Sequence, residues 1–352
     1  MALVAQQRLS STASFDARVY ALTPGNAAFL KQIGVWDAIP AERRVPVHAM
    51  RIYGDQSSML EFDAYGAGVP ELAWIVEDRL LQEALWHELE VDVLRAQPES
   101  LAIGGESAVL GFQDGSQIEA KLIVGADGAS SFVRREAGIA ASEREYGQHA
   151  VVANFRCSKP HANIAHQWFQ RAAVLALLPL AGDHVSMVWS LPSGEAGGIS
   201  ALGEDAFSSA VEATAHGVLG QLTLVTPPRS YPLRRLSAAR MVAPRVALAG
   251  DAAHVIHPLA GQGLNLGLQD ARTLAAVIST REPARDPGEL RLLRRYERRR
   301  AEPILAMDTM VDSLFRLFGA QGGTAARLRN AGLNLTDRLP VVKNMLMRQA
   351  MR

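Results

Sequence analysis

The chain holds one cysteine, Cys157, among 352 residues. A single thiol excludes an intrachain disulfide and leaves no partner for a CxxC redox or zinc motif, so a reducing cytoplasm is the simplest setting. A surplus of charge is also lacking. Thirty-six basic residues balance 36 acidic ones, so the whole-chain field gives no reason to expect nucleic acid as a ligand. Apolar runs are short. No stretch of about 18 apolar residues occurs, so no transmembrane helix is expected. The opening MALVAQQRLSSTASFD has neither the basic segment nor the apolar length of a secretory signal. These absences leave peripheral membrane contact open. The Gly-x-Ser-x-Gly elbow of an α/β-hydrolase is missing, and so is the GxGxxG turn with which a dinucleotide site usually begins.

The chain is long enough to bury a sizeable core, and its 48% apolar content is ordinary for a globular protein. MALV reads as a short buried strand. TPGNAAFLKQIGVWDAI has the marks of a helix, with Pro24 near its start and Gly34 at its end. AMRIYG and MLEFDA read as paired strands. EDRLLQEALWHEL predicts an amphipathic helix with Leu80, Leu81, Leu85 and Leu89 on one side. VDVLRA reads as a strand, and a hairpin turning at Asp114-Gly115 follows. From about residue 146 to 235 successive strand patterns are interrupted by one helix, ALGEDAFSSAVEATAHGVLG. Strand and helix signals return at 245–279, and 288–352 is mostly helical in pattern.

Two stretches carry chemistry. In LIVGADGASSFVRREAG an apolar strand runs into Asp127-Gly128 and then a helix start. A strand-end aspartate can accept a bond from a ligand hydroxyl. A plain strand–turn–helix connection with a capping aspartate explains this stretch equally well. The second stretch, RVALAGDAAHVIHPLAGQGLNLGLQDA, is more specific. Gly250-Asp251 stands at the carboxyl end of a buried strand, where open α/β sheets bind ligands. Pro258 and Leu259 suit a turn. Gly261, Gln262 and Gly263 would present backbone N–H groups at a helix start, where they and the helix dipole stabilise negative charge. Leu264 and Asn265 follow, and Asp270 lies within the helix. His254 and His257 are spaced as metal ligands can be, but no third ligand is evident nearby. Trp168, Phe169, Met187 and Trp189 either line an aromatic pocket or pack a core, and packing is the simpler reading. RLLRRYERRRAEP is read as a solvated basic helix face, with lipid headgroups or an acidic partner as the alternative.

In this order the two stretches resemble the Asp-Gly and Gly-Asp motifs of the single-component FAD-dependent aromatic hydroxylases. HPLAGQGLNLGLQD, with DARVYALTPGNAAFLKQIGVW and ELAWIVEDRLLQEAL, is especially similar to the hydroxylases of ubiquinone biosynthesis. The resemblance spans nearly the whole chain. It implies an α/β fold: a Rossmann-like FAD-binding domain, an inserted, mostly antiparallel substrate sheet and a helical C-terminus. The corresponding division is 1–45, 76–145 and 236–287 for the FAD-binding domain, 46–75 and 146–235 for the substrate sheet, and 288–352 for the terminal helical region. It implies FAD as cofactor, NAD(P)H as electron donor and a polyprenylated phenol as substrate. Arg18 and Arg79 would contact FAD, although either alone reads as a surface arginine. Asp127 and Gly128 would lie by the dinucleotide, and Gly250 and Asp251 by its ribityl and pyrophosphate part. Pro258, Gly261, Gln262, Gly263, Leu264 and Asn265 would flank the ring system. A place in a ubiquinone-biosynthesis protein complex and contact with the inner membrane are further implications.

The missing GxGxxG sets an opposing expectation. If MALVA is the family's second strand, Ala5 stands where an acidic residue holds the adenosine ribose, and FAD binding by this chain would be weak. A non-catalytic, FAD-deficient subunit of a biosynthetic complex is therefore the alternative reading.

Overall fold

The structure is a computed structural model that describes residues 1–5, 14–54, 59–170, 173–257 and 261–319. The chain divides into two compact units. The described residues of the first lie within 1–5, Leu89–Tyr146 and Arg234–Asp312, and those of the second within 14–88, Gly147–Leu233 and 313–319.

The first unit is built on short strands. Ala2–Val4 pairs in parallel with Asp92–Leu94. Pro98–Ile103, Ala108–Phe112 and Gln117–Ala120 form an antiparallel sheet. Its last hairpin turns where expected. Gly115 takes a positive φ of 81°, and the Asp114 carboxylate accepts the Ser116 N–H at 2.9 Å. Ile123–Gly125 pairs in parallel with Val246–Leu248. Val246, Ala247 and Leu248 are entirely buried, which is why this strand is an unbroken apolar run rather than an alternating one. The helix Gly263–Ser279 packs Leu274 and Val277 into the same core. The helix Leu290–Gly319 adds Leu292, Leu293 and Tyr296. The Tyr296 hydroxyl donates to the Leu248 carbonyl at 2.7 Å, so a polar group deep in the core is satisfied. RLLRRYERRRAEP therefore has two sides. Arg291, Arg294, Arg298 and Arg299 are exposed as expected, but Tyr296 and Arg300 are buried.

The main sheet of the second unit runs in the order Ala141–Cys157, His184–Pro192, Ala173–Pro179, Ile164–Gln170, Ala49–Tyr53, Met59–Asp63. Its pairs are antiparallel except Ile164–Gln170 with Ala49–Tyr53, which is parallel. Alternation along the strands sorts side chains to two faces. Val151, Ala153, Phe155, Trp168, Leu175, Leu177, Met187 and Trp189 share one core with Phe207 and Val211 of the helix Glu204–Thr214. The packing reading of Trp168, Met187 and Trp189 holds, and Phe169 is buried too. Each such side chain contributes about 1.5–3 kcal/mol by leaving water. A smaller sheet of Val19–Leu22, Ala73–Glu77 and Val45–Val47 places Val45, Val47 and Ile75 against Ala165 and Leu180.

Three local expectations change. MALV is expected as a buried strand, but in Ala2–Val4 Ala2 is exposed and Leu3 and Val4 are only half-buried. The helix Asp78–His87 buries Leu81 and Ala84 and leaves Leu85 exposed, while Leu89 falls beyond its end. A helix over Ser193–Ser200 was not expected from SGEAGGIS, where glycine disfavours helix. It forms with Ala196 packed into the sheet core.

His166 and His257 report on these cores. Burial is the main cause holding each imidazole at about 4. Arg51 and His161 act in the same direction on His166, whereas Asp312 opposes the shift of His257. In the unfolded chain a histidine titrates near 6.5, so the unfolded state binds more protons between these values. Stability is complete above about pH 6.5 and falls as pH drops towards 4, by up to roughly 3 kcal/mol per histidine. Urea midpoints across this window should show that slope. His257→Phe should remove its share, about half of the slope, and an unchanged slope would count against a neutral buried His257.

Candidate functional site

In the first unit the two motif strands lie side by side. Beyond the Gly125–Leu248 register pair, the Ala249 N–H donates to the Gly125 carbonyl at 2.9 Å. Asp127-Gly128 and Gly250-Asp251 thus leave the carboxyl ends of neighbouring parallel strands. Gly125 is required by packing. A Cβ there would stand 2.8 Å from Val133 Cβ and 2.9 Å from a Leu248 methyl.

Asp127 is engaged locally. Its carboxylate accepts the Ser131 hydroxyl at 2.5 Å and the Val133 N–H at 3.1 Å. Ser131 in turn caps the helix Phe132–Glu136 by accepting the Arg134 N–H at 2.9 Å. Gly128 has a positive φ of 80° and open space where a Cβ would stand. Arg134, which is buried, donates to the Ala129 carbonyl and to the Ala252 carbonyl, both at 2.8 Å. It ties the two motif loops together.

Gly250–Ala252 forms a single 3-10 turn, with Gly250 at φ 59°. Asp251 is exposed on that turn. Gly261 has φ 60°, and Gln262 precedes the helix Gly263–Ser279 without a side-chain cap. No acidic residue sits in the first turn of that helix, so no protein carboxylate in the turn offsets the positive end of its dipole. Leu264 is half-buried. Asn265 is buried, and its amide donates to the Gly261 carbonyl at 3.4 Å. Pro258 and Leu259 lie outside the described residues.

The turn rests on residues that motif reading left without a role. Asp270 is fully buried. It accepts the Gly250 N–H at 2.9 Å and His254 Nε2–H at 2.6 Å on one oxygen, and Arg300 Nε–H at 2.6 Å on the other. His254 therefore points at Asp270. His257 meets the Tyr146 ring edge-on at 4.6 Å. The metal spacing of the two histidines is used for other contacts, and among the described residues no cluster of three metal-ligating groups occurs.

Arg18 and Arg79 belong to the second unit, where Asp16 brings them together. The buried Asp16 carboxylate accepts the backbone N–H of Arg18 at 3.1 Å and of Arg79 at 3.3 Å, and the Arg79 guanidinium lies 3.6 Å away. Arg79 stands in the first turn of Asp78–His87, so Asp16 satisfies an orphan helix donor from a distance of 63 residues. Asp16 is itself held. Its N–H donates to Glu77 at 2.6 Å, and its carbonyl accepts the Asn154 amide at 2.7 Å. Arg43 donates to Glu77 at 2.7 Å. The Arg18 side chain is exposed, and its guanidinium lies 5.4 Å from the Tyr20 ring centroid. The signal for Asp16 was the FDAR run itself, whose aspartate precedes Arg18 by two.

Asp127→Ala should lower stability by about 0.5–2 kcal/mol, the usual cost of a lost cap. Urea unfolding of the apo-protein reads this directly, and an unchanged midpoint would free Asp127 from its structural role.

The sequence matches the FAD binding domain family over residues 8–309. It is 34% identical over 347 residues to ubiquinone hydroxylase UbiL of Rhodospirillum rubrum, covering 96% of this chain and 80% of that protein. It is 32% identical over 345 residues to 3-demethoxyubiquinol 3-hydroxylase of Escherichia coli, covering 96% of this chain and 87% of that one. The fold superposes on the crystal structure of p-nitrophenol 4-monooxygenase PnpA from Pseudomonas putida with a TM-score of 0.78, at 17% identity, over 99% of this chain and 91% of that one.

Proposed function

The chain belongs to the FAD-dependent hydroxylases of ubiquinone biosynthesis, and from that premise we propose that it hydroxylates the aromatic ring of a polyprenylated phenol, using NAD(P)H and O₂. The observation that carries the reading is the Gly250-Asp251 turn: an exposed carboxylate at the end of a parallel strand, followed by a helix start free of acidic residues.

These residues fit FAD. Asp251 supplies an acceptor for a hydroxyl of the cofactor's ribityl chain. Gly261, Gln262, Gly263 and Leu264 supply backbone donors and the positive end of a 17-residue helix for negative charge at the ring edge. Asn265 lies beside them. Arg18 and Arg79, both set by Asp16, supply cations suited to the pyrophosphate. Gly128 leaves its backbone approachable. Bound FAD supplies electron transfer from NAD(P)H and activation of O₂. The protein's tasks are to bind, to orient and to keep water from the reacting ring.

The reading is tested by incubating the protein with FAD, NAD(P)H and a short-tailed polyprenylated phenol under isotopically labelled O₂. One labelled oxygen in the product is expected. Asp251→Ala should fold with a near-normal melting temperature while losing flavin and hydroxylation together. Full flavin content with a sharply lower melting temperature would return Asp251 to a structural role. A colourless, unreactive wild-type protein would favour a non-catalytic subunit.

The reading extends to contact with an anionic membrane surface. No described helix is long and apolar enough to cross a membrane. The helix Leu290–Gly319 does expose Arg291, Arg294, Arg298 and Arg299, and further along Leu305, which is 65% exposed. Basic residues near anionic lipid contribute about 1 kcal/mol each. Flotation with anionic vesicles should recover the protein at low salt and lose it at high salt. Equal recovery with neutral vesicles would sink this part.

A further inference from the structure

Asp270 poses a problem of physical economy. A carboxylate with no exposure, paired with an Arg300 that is 4% exposed, is weak as a device for stability alone. Desolvating both charges costs as much as their attraction returns, and an apolar pair of similar volume often serves the fold equally well. What an apolar pair cannot do is accept a backbone hydrogen bond. Asp270 accepts one from Gly250, the residue before Asp251.

The surrounding geometry converges on that bond. Gly250 adopts φ 59°, a left-handed conformation that favours glycine. A Cβ built on Gly267 would stand 3.3 Å from Gly250 Cα, so the turn sits directly on the helix face. His254 donates to the same Asp270 oxygen as Gly250, from the far end of the turn. Arg300 grips the other oxygen. It also donates to the Gln269 side chain at 3.1 Å and the Leu266 carbonyl at 3.3 Å, fixing the carboxylate's orientation from the neighbouring helix. Both ends of the turn that carries Asp251 are thereby held by one buried oxygen.

We infer that Asp270 and Arg300 are positioning residues for the cofactor: they lock the Gly250–His254 turn to the helix Gly263–Ser279, so that the Asp251 carboxylate and the helix N-terminus face FAD in a fixed relation. This rests on the FAD reading of Asp251.

The test uses the full chain as apo-protein. FAD affinity is measured by flavin fluorescence quenching well below the unfolding temperature. Amide hydrogen exchange at Gly250 is followed without flavin. Asp270→Leu combined with Arg300→Met removes both charges together, so neither is left buried and alone. This double variant should keep wild-type secondary structure. Its Gly250 amide should exchange at least tenfold faster, and its FAD dissociation constant should rise at least tenfold. Gly267→Ala leaves the charges in place and presses on Gly250. It should weaken FAD binding several-fold with a normal circular dichroism spectrum, and it keeps the question answerable if the double variant does not fold. Arg300→Lys, which retains a charged donor for Asp270, should bind FAD more tightly than Arg300→Met. Wild-type affinity in the double variant or in Gly267→Ala would overturn the positioning role and leave the cofactor reading intact. If wild-type protein takes up no FAD, the cofactor reading fails, and the positioning role for FAD falls with it.

Discussion

A carboxylate buried away from water must find its hydrogen-bond donors inside the protein, and Asp270 finds three. They come from a strand-end turn, from the residues just after it and from a distant helix. No arrangement of these segments that separates them is compatible with the buried charge, because an unpaired buried carboxylate costs several kcal/mol. The requirement therefore fixes where the Gly250–Ala252 turn lies on the helix Gly263–Ser279. Tyr296 reinforces it one layer deeper by closing the Leu248 carbonyl.

The second unit solves a similar problem with the same kind of residue. Asp16 is buried, receives two backbone N–H groups from Arg18 and Arg79, and is tied back through Glu77 and Asn154. In both units a buried aspartate organises backbone next to the group proposed to meet the cofactor. Short, acceptor-only and ionised, an aspartate can gather backbone donors that no apolar residue can hold. The remaining bulk of the second unit is ordinary packing. Sheet alternation and the helices Ser193–Ser200 and Glu204–Thr214 enclose the core that holds Trp168, Phe155 and Phe207. A stiff sheet of this kind carries shape, whereas the charged anchors carry position.

Much of this was legible in the order of residues. The apolar run before Gly250-Asp251, the turn at Asp114-Gly115, the Thr23-Pro24 helix start and the strands at 146–192 each depend on local chemistry: fixed φ at proline, freedom at glycine, and periods of 2 or 3.6. Local rules of this kind act over a few residues, so the sequence states them openly. The motif residues Asp127, Gly250, Asp251 and Gly261 to Gly263 were legible for the same reason, since strand ends and helix starts are local events.

What tertiary structure decided was which polar residues are buried and what they hold. By its spacing, Arg300 reads as one more arginine on a basic helix face, and Asp270 as a residue within a helix. They meet across 30 residues because two helices pack on one strand. Asp16 reaches Arg79 across 63 residues, and Asp127 proves to hold the capping Ser131 hydroxyl and the first-turn Val133 N–H as well as being a motif residue. A residue's type sets what it can bond. Whether that bond lies in water or in a dry core, and with which partner, is determined only when distant segments pack, because burial is a property of the whole fold.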